Sequence, residues 1–121
     1  MNMIINTRQV RSVTIVDING RIVLQECALL RDLLSNLLAA GRNKILVNLA
    51  GTSGVDSAGL AYLISALVST RKQQGELKLL SPTKEVRDVI RLTKLDTVFD
   101  IIDDEAAAVM SFSANSAAAN A

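Results

Sequence analysis

The spacing of hydrophobic positions changes several times along the chain, and each change marks an element. Residues 3–18 read as two strands. In the second, Val13, Ile15 and Asp17 share one face and Thr14, Val16 and Ile18 the other. Asn19-Gly20 predicts a turn, because both residues tolerate positive φ. Residues 21–24 would then form a short extra strand. Residues 27–40 carry leucines at 29, 30, 33, 34, 37 and 38, an apolar stripe at helical spacing, with Arg31, Asp32, Ser35 and Asn36 opposite and Gly41 placed as the cap. Ile45-Leu46-Val47-Asn48-Leu49 is a short, nearly continuous apolar run and predicts a central strand covered on both faces.

Residues 50–54 read as a flexible glycine-containing loop. A helix follows from Ser57 to about Gln73, with Leu60, Leu63, Ile64, Leu67 and Val68 as its buried stripe, Arg71 and Lys72 in its last turn and Gly75 closing it. Leu77 and Leu79 alternate through another strand. Ser81-Pro82 predicts an N-cap followed by proline at the first helical position, with Val86, Val89 and Ile90 as that helix's apolar stripe. Residues 98–102 predict a last strand. Asp103-Asp104-Glu105 opens a short final helix; it reads as charge complementing the helix dipole, not as a metal site. Strands alternating with helices specify an α/β domain with a largely parallel sheet, an N-terminal hairpin and helices packed on it. One domain is expected over residues 1–112, and the Ala/Asn/Ser-rich residues 113–121 read as a disordered tail.

Composition narrows the function. Half of the 121 residues are hydrophobic, enough for a core without disulfides or metals. The aromatics are Tyr62, Phe99 and Phe112, so the core is aliphatic and no platform exists for stacking single-stranded bases. Thirteen basic and twelve acidic residues give a formal charge of +1, with no positive field to attract nucleic acid. The absence of histidine excludes Ser-His-Asp and Cys-His nucleophile systems, histidine phosphotransfer and imidazole-bound metals. Cys27, the lone cysteine, reads as a small buried residue. No apolar run approaches the ~18–20 residues that span a bilayer, and residues 1–8 lack the pattern of a signal peptide. A cytoplasmic protein without membrane insertion, without a cofactor and without enzymatic activity is expected. Gly51-Thr52-Ser53-Gly54 lacks the lysine of a phosphate-binding loop, and no Gly-x-Gly-x-x-Gly fingerprint occurs.

The candidate site is Val55, Asp56, Ser57, Ala58 and Gly59. These residues follow a buried strand and a loop and open a long helix, the place where α/β sheets meet ligands and partners. Serine and aspartate there cap free N–H groups of the first turn. A phosphate on Ser57 would add about −1.5 to −2 charges next to Asp56 and make a strongly anionic surface.

The segments Lys44-Ile45-Leu46-Val47-Asn48-Leu49 and Val55-Asp56-Ser57-Ala58-Gly59-Leu60 resemble the STAS-domain family, and most of all the bacterial anti-sigma factor antagonists. Gly20 after the second strand, Gly75-Glu76-Leu77-Lys78-Leu79 and Leu92-Thr93-Lys94-Leu95-Asp96-Thr97-Val98-Phe99 also fit the family. The resemblance implies a STAS-like fold, Ser57 as the phosphoacceptor, and a partner that is both serine kinase and anti-sigma factor, bound when Ser57 is free and released when it is phosphorylated. Two positions depart from the pattern. Val23 stands where an aspartate is common, and Ala58 where a second hydroxyl is. The family also includes accessory subunits of lipid-transport ATPases and parts of signalling scaffolds, which dock without phosphorylation. The hairpin edge offers a route to a homodimer.

Overall fold

The computed structural model describes residues 3–112. β1 (Ile4–Val10) and β2 (Val13–Ile22) form an antiparallel hairpin in which Val10 faces Val13. α1 (Cys27–Ala39) leads into β3 (Lys44–Asn48), parallel to β2. β4 (Thr52–Val55) pairs in parallel with the end of β2 and leads into α2 (Ser57–Lys72). β5 (Glu76–Leu80) lies beside β3, and α3 (Lys84–Leu92) follows it. β6 (Ile101–Ile102) pairs with β5, and α4 (Glu105–Ser111) ends the described chain. The sheet order is β1-β2-β3-β5-β6, antiparallel only at the hairpin, with β4 attached to β2. Among the described residues no helix is long and apolar enough to cross a membrane.

The sheet has two unequal faces. Val16, Ile18, Ile45, Val47, Leu77 and Leu79 pack against α1, α2 and α3 through Leu30, Leu34, Leu63, Leu67, Val86 and Ile90. The opposite face carries Val13, Ile15, Leu46 and Leu80, covered by Ala108, Val109 and Phe112. Both faces of β3 are therefore buried, as its continuous apolar run predicts. Gly41 takes φ +80 after α1 and ends the helix as expected.

Several local expectations are corrected. Asn19-Gly20 is no turn: β2 runs straight through it, and Gly20 (φ 109) marks the place where the β2–β4 register shifts. Thr52-Ser53-Gly54 is strand, not flexible loop. Thr52 is fully buried and donates its hydroxyl to Ile18 O at 2.9 Å, and Gly51 leaves no room for a side chain beside Asn19. In α2 the buried line is Leu60, Leu63, Ala66, Leu67 and Thr70, while Val68 is exposed. Gly75 does not close that helix by a positive φ; Gln74 takes the left-handed conformation, and Gly75 lies against Asn43 O, where a Cβ would collide. The N-cap of α3 is Thr83, not Ser81, which itself adopts φ 49. Of residues 98–102 only the last two are strand. Asp103-Asp104-Glu105 is divided among three jobs: Asp103 pairs with Arg87, Asp104 caps α4 and Glu105 pairs with Arg8. The tail at 113–121 lies outside the described residues.

Candidate functional site

Asp56 organises the junction between β4 and α2. Its backbone is extended, its N–H donates to Ile22 O at 3.2 Å, and its side chain caps α2 by accepting from Gly59 N–H at 2.8 Å. The second carboxylate oxygen reaches across to the segment after β2 and accepts from Leu24 N–H at 3.1 Å. That N–H opens a 3-10 turn, Leu24–Glu26, whose own N-cap residue is Val23, a side chain that cannot accept. Asp56 thus supplies from a distance the cap that Val23 lacks, and one carboxylate holds two chain segments together.

These bonds fix its charge state. The Gly59 N–H, aided by Leu24, Ala58 and the positive Arg21, holds the Asp56 carboxyl below the usual carboxylate range against the opposing effect of burial. Asp56 is therefore ionised at neutral pH. Cys27, one helical turn from Val23, gives its thiol to Val23 O at 3.4 Å. Burial, with the Asp56 charge nearby, pushes that thiol up, so it stays protonated and unreactive.

Ser57 is the first residue of α2 and is exposed. Val55, Asp56 and Ala58 around it are half-buried. Gly59 is turned inward: it is buried, and a Cβ there would stand 2.1 Å from Ile22 O. The close approach that glycine permits is thus made by the chain's own backbone. Leu60 is also buried. The surface around Ser57 instead includes Leu24, 67% exposed, and Arg21, whose guanidinium lies next to Gly54. Sequence patterning missed both, because nothing local shows that the segment after β2 meets the start of α2. The only signal was a lone leucine between Val23 and Gln25. The result is a surface that carries an apolar residue, a hydroxyl and a fixed carboxylate. Among the described residues no group of His, Cys, Asp and Glu is arranged to hold a metal.

Comparison with known proteins identifies the family and the fold. The family model for the STAS domain matches residues 5–108. A protein of Thermotoga maritima named as an anti-sigma factor antagonist is 35% identical over 66 residues, which span 54% of this chain and 58% of that protein. The crystal structure of a Thermotoga maritima protein described as a putative anti-sigma factor antagonist superposes with a TM-score of 0.82 at 27% identity, covering 88% of this chain and 92% of that one. The phosphorylated form of the Bacillus cell fate determinant SpoIIAA shares the fold, with a TM-score of 0.70 at 18% identity over 88% of this chain and 96% of that one.

Proposed function

Since the chain belongs to the STAS-domain family, we propose that it is a cytoplasmic anti-sigma factor antagonist, a binding module that holds an anti-sigma factor with serine kinase activity and lets it go when Ser57 is phosphorylated. In this reading the chain is a substrate of its partner's catalysis and has no catalytic role of its own.

The observation that carries the reading is the pairing of Ser57 with Asp56. An exposed hydroxyl sits on the first residue of a helix, beside a carboxylate whose two oxygens are already engaged. A phosphate there would not find the Gly59 N–H free, since Asp56 accepts from it. Its charge would add to that of Asp56 and remain open to a partner. Two like charges about 4 Å apart repel by roughly 1 kcal/mol in water and about 4 kcal/mol at the effective dielectric of a protein surface. A partner packed on Leu24 and Ala58 with its own acidic groups nearby would be expelled by that amount.

The test uses the cognate kinase and ATP, with intact-mass analysis. One phosphate is expected on the natural chain and none on Ser57→Ala, which still binds the kinase. Ser57→Asp is expected to bind at least about tenfold more weakly. Phosphate gain by Ser57→Ala at an undiminished rate would refute the assignment.

A further inference from the structure

A second site lies at the far end of the strands from Ser57. Lys44 opens β3 and is only 8% exposed. Its ammonium has three donors, yet the hydrogen bond it makes among the described residues is a long one, 3.5 Å to Ser12 Oγ. A buried ammonium is costly without a close partner. Glu76 faces Lys44 across the β3–β5 pairing, but its carboxylate lies 3.9 Å from Lys78 Nζ. Lys78 itself is satisfied by Ser111 O at 2.9 Å and Ser111 Oγ at 3.1 Å.

Lys44 lines a pocket of about 350 Å³ between the β1–β2 turn and α4, together with Arg11, Ser12, Val109, Met110 and Phe112. Its polarity is divided. Two cations and a hydroxyl stand on the hairpin side, and three apolar side chains on the α4 side. Among the described residues no carboxylate lines it. A second depression of about 260 Å³ shares Arg11, Val109 and Met110 and continues past Val10, Ala106 and Glu105, whose carboxylate is paired with Arg8. Met110 is 67% exposed, and its flexible thioether can fold over an apolar guest. The wall formed by Val109, Met110 and Phe112 lies beyond the residues that match the family.

We propose that this pocket binds a small amphiphilic carboxylate, a medium-chain fatty acid, with its head on Lys44, Arg11 and Ser12 and its chain along Val109, Met110 and Phe112. The carboxylate supplies a closer partner than the 3.5 Å bond to Ser12 Oγ that Lys44 makes among the described residues, and charge-assisted bonds are the strong ones. The volume is at the lower end of the range for small-molecule sites, which suits one short chain better than a two-chain lipid.

The test titrates the full chain with octanoate and follows backbone amides by NMR. Saturable shifts confined to residues 11, 12, 44 and 109–112 are expected, with octanol binding about tenfold more weakly and acetate producing no saturation. Lys44→Met keeps the aliphatic stem and is expected to weaken octanoate about tenfold. If that variant does not fold, Arg11→Asn carries the test, since Asn tolerates the positive φ of 55 there and removes one cation from the rim. Vesicles containing phosphatidylglycerol separate a free acid from a bilayer surface, and the chain is expected not to sediment with them. Octanol binding as tightly as octanoate, octanoate affinity unchanged in both variants, or retention on vesicles without octanoate binding would each overturn the proposal.

Discussion

The two faces of the sheet are held by different physics. Under α1, α2 and α3 the contacts are mainly aliphatic, between Val, Ile and Leu side chains that make no hydrogen bonds and need none, with Phe99 among them. On the other face a seven-residue helix covers a small apolar patch, and charged groups hold it at both ends. At its start, Arg8 bonds Asp17 through Nε at 2.7 Å and Glu105 through Nη2 at 2.6 Å, while Asn48 also donates to Asp17. At its end, Lys78 donates to Ser111 O and lies 5.0 Å from the centre of the Phe112 ring. A helix this short does not hold itself together in water. The covering of one face is therefore a matter of buried area, and that of the other a matter of charge, pH and salt.

The largest effect expected from breaking this contrast comes from the aliphatic side. Leu63 is 1% exposed at the centre of α2. Leu63→Ala is expected to lower unfolding stability by about 2–5 kcal/mol, a large share of the roughly 5–15 kcal/mol typical of a domain. Urea unfolding followed by circular dichroism measures it. The loss should be insensitive to salt, and a cost below about 1 kcal/mol would show that this face is less tightly packed than its burial indicates.

The next effect is acid loosening of α4. The Arg8 hydrogen bond holds both Asp17 and Glu105 below the usual carboxylate range. A depressed carboxyl stabilises the native state above its unfolded pKa, and that contribution is lost as pH falls through the lower, native value. The window therefore opens near pH 4, the ordinary carboxylate range. NMR methyl signals from Val109 and Ile15 should change below that pH before those of Leu63 and Ile90. Simultaneous change on both faces would mean that α4 and the main core unfold as one unit. Arg8→Ala should reproduce the loosening at neutral pH with a smaller effect. The pairs are partly exposed, so the expected change is about a fivefold loss of hydrogen-exchange protection at Ala107 and Ala108, diminished in high salt, with little change in global stability.

The same contrast explains what the sequence made legible. The aliphatic face could be read directly, because leucines at helical spacing and alternating β-branched residues state which side is buried. So could the position of Ser57, which Asp56 and Gly59 mark as the start of a helix. The charged face could not. Lys44 and Lys78 occupy alternate positions that look solvent-facing, and their burial depends on α4 and the hairpin turn arriving from distant parts of the chain. β4 was missed for a similar reason: Thr52-Ser53-Gly54 has no hydrophobic pattern, and its strand geometry comes from pairing with the end of β2. Leu24 entered the site only through Asp56, a bond between residues 32 positions apart.

The last effect, confined to strongly alkaline pH, concerns a polar tip at the edge of the aliphatic face. Tyr62 is half-buried and packs against the main core, and burial pushes its phenol up to about 12. It is the chain's lone tyrosine, so ultraviolet absorbance reads this group alone. Unfolded chains release the phenol proton near pH 10, while the native state retains it to about 12. The unfolded state therefore gains stability as pH rises between those values, and the native state loses it. A titration midpoint near 12 with no change in fold is expected. A midpoint near 10 in the folded protein would mean that the phenol is solvated and that the aliphatic packing stops short of Tyr62. The shift comes from one half-buried hydroxyl and needs no ion pair, which is what separates this face from the one that Arg8 and Lys78 hold together.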